Sequence, residues 1–276
     1  MRIGVLDSGI GGLNVLAELV REAPDAEFVY IGDSANVPYG GRSIEQIRSL
    51  SRESAAQLRA RGIDLAVIAC NSVTIHALDL IQKDFGETPV VGMIEPAIEH
   101  VVQSYKRSGA SGPILVLGTA ATTKSGVYGK RFKSLFSGTN VQELACPQFV
   151  PLIENGRILG KELEEAVESA LARIPLLPQG MILLACTHYG WIREAIERAL
   201  PGWVVVDPSR AAALAASALA WQIQAQPKAQ TGAPIEWIFT APEKVPAFAR
   251  AAMRAMENRL NSDVRTQAAS KLRPHL

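Results

Sequence analysis

Cysteine is scarce in this chain, which has three cysteines among 276 residues. Three thiols cannot all pair within one chain, so a disulfide framework is excluded. The first apolar segment is cut short by Asp7-Ser8-Gly9 and therefore does not resemble a signal peptide. We expect a cytoplasmic protein whose thiols stay reduced.

A strong charge of one sign is also missing. The formal net charge is +1, and no run of about five or more like charges occurs, so we expect neither nucleic acid nor a membrane surface as a partner. No apolar run approaches the roughly 20 residues that a membrane-spanning helix needs. With 48% hydrophobic residues, the chain can bury the core of one large or two medium domains.

Two stretches of the chain resemble each other, and they favour two domains. Residues 68–73 and 184–189 each end an apolar run with a cysteine, Cys70 or Cys186, and continue with polar residues. Residues 4–9 pair in the same way with 115–120, and residues 90–96 with 203–208. Because the three pairs follow the same order, we predict an internal duplication that builds one site from two similar halves.

Short apolar segments alternate with amphipathic ones along the whole chain, a pattern typical of parallel sheets covered by helices. We predict strands at 2–6, 27–32, 64–69, 90–94, 113–118, 141–145, 181–185, 203–206 and 235–240. We predict helices at 13–22, 43–61, 74–85, 95–106, 159–173, 192–200, 209–224 and 245–260. Residues 146–156 and 226–234 are interpreted as loops, and residues from 261 onward as a frayed, solvated tail or a packing arm.

The predicted fold class is therefore α/β, with two similar domains, each a mainly parallel sheet flanked by helices, related by a pseudo-twofold axis. The first domain is discontinuous and comprises residues 1–96 plus 208–276, because the last strand and helix are expected to return to it. The second comprises residues 97–207. We expect the active site in the cleft between the domains.

A glycine-rich loop follows the first strand, from Asp7 to Gly12. Its glycines allow a sharp turn that exposes N–H groups at a helix start, where a carboxylate or phosphate can bind. The spacing is not GxGxxG, and a helix that only needs a tight entry would have the same sequence. Both interpretations remain open.

Both Cys70 and Cys186 are predicted to lie where a strand gives way to a helix, a place that favours the thiolate. A scheme with one nucleophilic cysteine and His188 as its base would leave Cys70 unexplained. Inversion at a tetrahedral carbon explains both, since one thiolate removes a proton while the opposing thiol supplies another. No CxxC or HxxxH spacing occurs, so we expect no metal.

From residue 3 to residue 256, the sequence closely resembles the glutamate racemases, cofactor-independent enzymes that make D-glutamate for bacterial peptidoglycan. The resemblance rests on ordered motifs: Asp-Ser-Gly-x-Gly-Gly at 7–12, Val-Pro-Tyr-Gly at 37–40, Ala-Cys-Asn at 69–71, Thr119 with Thr122, Ser125 and Tyr128, Cys146-Pro147 with Pro151 and Glu154, and Cys-Thr-His-Tyr at 186–189. It implies no cofactor, and we expect a homodimer.

The resemblance also implies roles for individual residues. Cys70 and Cys186 would be the two bases, with Asp7 and His188 assisting proton transfer and Glu154 close by. The substrate contacts would come from Asp7, Ser8, Tyr39, Gly40, Asn71, Ser72, Thr119, Thr122, Thr187 and His188.

Few residues depart from the family pattern. Ser72 replaces a usual threonine, Val73 a usual alanine, Ala185 a usual glycine and Gly190 a usual proline. None of these changes removes a catalytic group, although Ser72 and Val73 bear on substrate fit. The chain lacks the N-terminal extension of members activated by a cell-wall precursor, so we do not expect that activation.

Two alternatives remain. One is an aspartate racemase or another racemase of the same superfamily. The other is a non-catalytic binding protein on the same fold, as in racemase-like proteins that interact with DNA gyrase.

Overall fold

The computed structural model describes residues 1–108, 112–174, 178–223 and 235–271, and the side chains of all of these except 108 and 262–271. Its strands are β1 Arg2–Asp7, β2 Glu27–Gly32, β3 Leu65–Ile68, β4 Val90–Val91, β5 Ile114–Gly118, β6 Val141–Ala145, β7 Gly180–Ala185, β8 Trp203–Val206 and β9 Ile235–Phe239. They form one five-stranded and one four-stranded sheet, in the orders β4-β3-β1-β2-β9 and β6-β5-β7-β8.

Helices follow most strands. They are α1 Leu13–Glu22, α2 Ile44–Arg59, α3 Asn71–Phe85, α4 Ile94–Ser108, α5 Ala120–Ser125, α6 Val127–Leu135, α7 Phe149–Glu154, α8 Lys161–Leu171, α9 Arg193–Ala199, α10 Ser209–Ile223 and α11 Ala247–Lys271. Thr187–Ile192 and Pro242–Lys244 are short 3₁₀ helices. None of the helices in the described ranges combines the length and the hydropathy of a membrane-spanning segment.

The observed strand pairings are all parallel, as the near-continuous apolar strands predict. β1, β3, β5 and β7 lie inside their sheets and are buried along almost their whole length. This arrangement confirms the predicted α/β class.

The two sheets share one strand order. β4-β3-β1-β2 in the first corresponds to β8-β7-β5-β6 in the second, and β9 adds an edge strand beside β2. The shared order agrees with the three sequence pairs, since β1, β3 and β4 match β5, β7 and β8. The pseudo-twofold axis and the domain division at residues 96 and 208 stay predictions.

Three predictions of local structure need correction. Residues 146–156 are not all loop, because α7 forms at Phe149–Glu154; Pro151 lies in its first turn, where a missing N–H costs nothing. Strand β4 ends at Val91 rather than at residue 94, since α4 already begins at Ile94.

The third correction concerns the C-terminal segment. The tail does not begin to fray at residue 261, because α11 continues to Lys271 through a segment that contains no glycine or proline to end it. The loop expected at 226–234 and the end of the tail from 272 lie outside the described residues.

Parallel strands bring their carboxyl ends to one edge of a sheet, and the turns that follow them carry the polar residues of interest. β1 ends at Asp7, and Cys70 follows β3 as the N-cap of α3. In the second sheet Thr119 follows β5 as the N-cap of α5, and Cys186 follows β7 at the start of the 3₁₀ helix.

Candidate active site

Residues from both sheets line one pocket, which is almost closed, with a cavity volume of about 10 Å³. Its wall is formed by Ser8, Pro38, Tyr39, Gly40, Cys70, Asn71, Ser72, Thr119, Val150, Cys186, Thr187 and His188. Most of these residues lie just after β1, β3, β5 or β7, so the strand ends of the two sheets meet there. Small polar side chains dominate the wall, with two thiols among them.

Cys70 is buried in the wall that follows β3, with 7% of its surface exposed. Its Sγ lies 3.6 Å from Ser8 Oγ, to which the thiol donates. Burial raises the pKa of the Cys70 thiol to about 12, with further contributions from the negative charges of Asp7 and Cys186. Cys70 is therefore held as a neutral thiol near neutral pH.

Cys186 has different neighbours. Its Sγ lies 3.9 Å from His188 Nδ1, and His188 Nε2 lies 2.6 Å from Glu154 Oε1. Burial lowers the pKa of His188, but the hydrogen bonds to Cys186 and Glu154 outweigh burial and raise that pKa well above its ordinary value. A positively charged imidazolium beside Cys186 would stabilise its thiolate.

Asp7 lies one hydrogen bond behind the pocket wall and is fully buried. Its carboxylate accepts from Thr187 Oγ1 at 3.0 Å and from the Gly9 N–H at 2.9 Å. Burial raises the pKa of Asp7 above its ordinary value, against the opposing effects of His188 and of these hydrogen bonds. Asp7 thus links the Cys70 side of the pocket to the residue that follows Cys186.

The glycine-rich loop binds two of the chain's own carboxylates. The Gly9 N–H donates to Asp7, and the Ile10 N–H donates to Glu154 Oε1 at 3.0 Å. A Cβ atom on Gly11 would lie 2.4 Å from His188 Nδ1, so only glycine allows the loop to approach His188 this closely. The anion-binding interpretation thus applies to side chains that orient the Cys186 site.

A chain of hydroxyl groups lies on another part of the wall. Ser72 Oγ is 3.0 Å from Thr119 Oγ1, which is 3.1 Å from Thr122 Oγ1 and also caps α5 by accepting from the Thr122 N–H. Ser72 therefore keeps the hydroxyl contact despite its departure from the family pattern. Val73 faces the apolar core and does not line the pocket.

Tyr39 and Gly40 belong to the segment that follows β2. The Tyr39 hydroxyl donates to Asp33 Oδ2 at 2.6 Å, and burial with this bond raises the pKa of Tyr39 well above its ordinary value. The Gly40 carbonyl accepts from the Ala121 N–H at 2.8 Å. This contact ties the segment to the start of α5, beside Thr119.

The structure brings all the predicted site residues together. Asp7, Thr122 and Glu154 lie one hydrogen bond behind the wall, and the others form it. Sequence reasoning gave no role to Pro38 and Val150, which also line the pocket, or to Tyr128, whose hydroxyl contacts Asn71. Tyr128 belongs to a family motif, but nothing in the sequence indicates its distant partner.

Cys146, the third cysteine, lies outside the pocket. It is buried beside Leu144, and its thiol is directed to the Leu144 carbonyl at 3.8 Å. In the part of the chain that the structure describes, no three His, Cys, Asp or Glu side chains are grouped so that they could hold a metal.

Comparison with known proteins identifies relatives over most of the chain. A family model described as Asp/Glu/Hydantoin racemase matches residues 3–216. The glutamate racemase of Aquifex aeolicus is 41% identical over 213 residues, which are 77% of this chain and 81% of that protein.

Two solved structures are similar in fold. Glutamate racemase from Francisella tularensis in complex with D-glutamate has a TM-score of 0.78 and 26% identity, covering 92% of this chain and 93% of that one. Escherichia coli glutamate racemase in complex with L-glutamate and the activator UDP-MurNAc-ala has a TM-score of 0.73 and 25% identity, covering 91% and 94%. With a family model matched over most of its length, this chain belongs to the Asp/Glu/hydantoin racemase family.

Proposed function

We propose that this protein racemises glutamate without a cofactor, by acid/base chemistry between Cys70 and Cys186, in the cytoplasm, where it supplies D-glutamate for peptidoglycan synthesis. The observation that carries the proposal is the entry of both thiols into one pocket from equivalent strands of two sheets. The racemases of known structure that carry bound D- or L-glutamate support the choice of substrate.

The reaction needs two groups at the α-carbon, one that removes its proton and one that donates a proton to the opposite face. A thiolate removes the α-proton and becomes a thiol, which leaves a carbanion next to the α-carboxylate. The other thiol then donates its proton to the opposite face and becomes a thiolate, so that the configuration is inverted and charge is conserved. From the resemblance, Cys186 removes the proton of L-glutamate and Cys70 that of D-glutamate.

The residues that neighbour each thiol can assist its proton transfer. His188, held by Glu154, lies beside Cys186 and can stabilise a thiolate or return a proton. Ser8 contacts Cys70, and Asp7 lies close enough to raise the pKa of that thiol. Asp7 and His188 are therefore the groups that we propose to assist proton transfer.

Substrate binding is assigned to the polar wall. Two carboxylates and an ammonium group need several donors and acceptors, which the pocket supplies from side chains and from backbone N–H groups at helix starts. The proposed contacts are Ser8, Tyr39, Gly40, Asn71, Ser72, Thr119, Thr187 and His188. Asp7 and Thr122, expected as contacts from the resemblance, lie behind the wall and would act through Thr187 and Thr119.

The test follows the circular dichroism of pure L-glutamate, with purified protein and no added cofactor. We expect the signal to decay to zero as the racemate forms, and an activity dependent on added pyridoxal phosphate would contradict the two-thiol mechanism. L-Aspartate under the same conditions distinguishes an aspartate racemase. Glutamate binding without any loss of signal would indicate the non-catalytic alternative.

A further inference from the structure

In the side-chain amide of Asn71, the oxygen is hydrogen-bonded and the nitrogen has no hydrogen-bond partner among the described residues. Asn71 is the first residue of α3 and lines the pocket, with 2% of its surface exposed. Its Oδ1 accepts a hydrogen bond from Tyr128 Oη at 2.6 Å. Its Nδ2 is buried and has no partner among the described residues. A buried amide donor without a partner is costly unless a ligand supplies the acceptor.

The contact with Tyr128 fixes which end of the amide is free. A separation of 2.6 Å suits an O–H···O hydrogen bond and is short for N–H···O. The Tyr128 hydroxyl has no other acceptor for its proton in the described part of the chain. Burial raises the pKa of Tyr128 well above its ordinary value, so the hydroxyl keeps that proton. It must therefore bond the amide oxygen.

Tyr128 itself is packed among other side chains outside the pocket. It is fully buried in α6, and its ring stacks on Phe132 with centroids 6.2 Å apart and an interplanar angle of 20°. Helix α6 packs beside β6 of the second sheet, whereas Asn71 begins the helix that follows β3 of the first. A residue packed beside the second sheet thus orients a pocket residue that follows a strand of the first sheet.

We propose that Tyr128 is a positioning residue that holds the Asn71 amide with Nδ2 available to donate to a carboxylate oxygen of the substrate. The inference rests on the proposed glutamate racemisation and adds a residue that does not touch the substrate. A reversed amide would present its oxygen to the carboxylate, so that two acceptors would face each other.

The first test removes only the hydroxyl, with Tyr128→Phe. We expect the KM for both enantiomers, and the Kd for D-glutamate measured by titration calorimetry, to rise by roughly two- to tenfold, since one oriented hydrogen bond is lost. We expect kcat to change much less, because the bond serves bound substrate and transition state alike. A merely structural defect would instead lower the active fraction and leave KM unchanged.

The second test measures coupling to Asn71. In an Asn71→Ala background the amide is absent, so adding Tyr128→Phe should not weaken glutamate binding further. Asn71→Asp keeps the acceptor for Tyr128 and removes the donor, so it should bind glutamate more weakly than Tyr128→Phe does. Tyr105→Phe is the matched control, because it removes a hydroxyl that donates to the Gly112 carbonyl away from the pocket; its KM should equal that of the wild type.

The outcomes separate this inference from the proposed function. An unchanged KM and Kd in Tyr128→Phe, an equal loss in the Asn71→Ala background, or wild-type binding by Asn71→Asp would overturn the role of Tyr128 while wild-type racemisation stands. A wild-type protein that neither binds nor racemises glutamate would overturn both.

Discussion

Cys70 and Cys186 occupy similar positions in their sheets but have different hydrogen-bond partners. Cys70 contacts a serine hydroxyl, whereas Cys186 contacts a histidine that is bonded to Glu154. Of the two thiols, only that of Cys186 has an imidazole within hydrogen-bonding distance, and the raised pKa of His188 favours its positively charged form. This difference leads to separate predictions for the two thiols.

Replacing either cysteine by serine should abolish most racemisation. A serine hydroxyl ionises far above working pH, so we expect a loss in the range of roughly 100- to 10,000-fold that one positioned acid or base contributes, or more. In deuterated water, residual α-exchange without inversion should favour L-glutamate in Cys70→Ser and D-glutamate in Cys186→Ser, as proton NMR would show. Cys146→Ser is the control, since Cys146 lies outside the pocket. Near-normal racemisation by either pocket variant would refute the mechanism.

The raised pKa of Cys70 predicts a pH effect on stability. The folded thiol ionises at about 12, whereas an unfolded one ionises near 8.5. Its contribution to stability is thus complete below the unfolded pKa and is lost as pH rises towards the folded one. Above about pH 9, the free energy of unfolding of the wild type should fall relative to Cys70→Ala, by up to about 1.4 kcal/mol per pH unit.

Urea unfolding at pH 7.5, 9 and 10 would measure this difference. The gap between wild type and Cys70→Ala is expected to narrow steadily over that range. A gap independent of pH would mean that the folded thiol ionises as readily as the unfolded one.

At the scale of single elements, the segment after β2 determines one wall of the pocket. A Cβ atom on Gly40 would lie 2.3 Å from Thr119 Cβ, so Thr119 would have to move with the start of α5. A Cβ atom on Gly41, the next residue, would have no described atom within 4 Å apart from those of its chain neighbours. The two adjacent glycines thus offer a matched pair.

Gly40→Ala should lower kcat/KM for glutamate by a factor on the order of 100, because a displacement of about 1 Å in a binding group has that effect on a positioned reaction. Gly41→Ala should leave kcat/KM close to the wild-type value. Steady-state assays of both variants decide the matter, with thermal unfolding to show that each is folded. Equal kcat/KM values for the two variants would mean that Thr119 can be displaced without loss of activity.

Most elements were predictable because their periodicity is local. Helix α2 begins where Ser43 suggests, since the Ser43 and Gln46 side chains form the reciprocal cap. Helix α7 was missed because prolines at 147 and 151 indicate a loop, although a helix tolerates proline in its first turn. The contacts of Glu154 with His188 and of Tyr128 with Asn71 join distant parts of the chain, and no local pattern encodes them.

At the scale of the whole molecule, the pocket joins residues from both sheets, so glutamate should stabilise the entire fold. Free ligand at 100 times its Kd should raise the free energy of unfolding by about 2.7 kcal/mol, as mass action requires. Thermal unfolding with D-glutamate, against potassium chloride at equal ionic strength, would measure the shift. An unchanged midpoint at saturating D-glutamate would show that the ligand does not favour the folded state.

The homodimer remains a prediction. Sedimentation velocity at micromolar protein concentration should give the mass of two chains, and the mass of one chain at all concentrations would contradict it.

The two thiols have unequal surroundings, but the effect of this difference on the reaction is limited because the two enantiomers have equal free energies. L- and D-glutamate have the same free energy in water, so their equilibrium ratio is one whatever the protein does. For a glutamate racemase, the ratio of kcat to KM must then be equal in the two directions at every pH and in every active variant. The pair formed by His188 and Glu154 on one side can change how strongly each enantiomer saturates the protein, but never which enantiomer finally predominates.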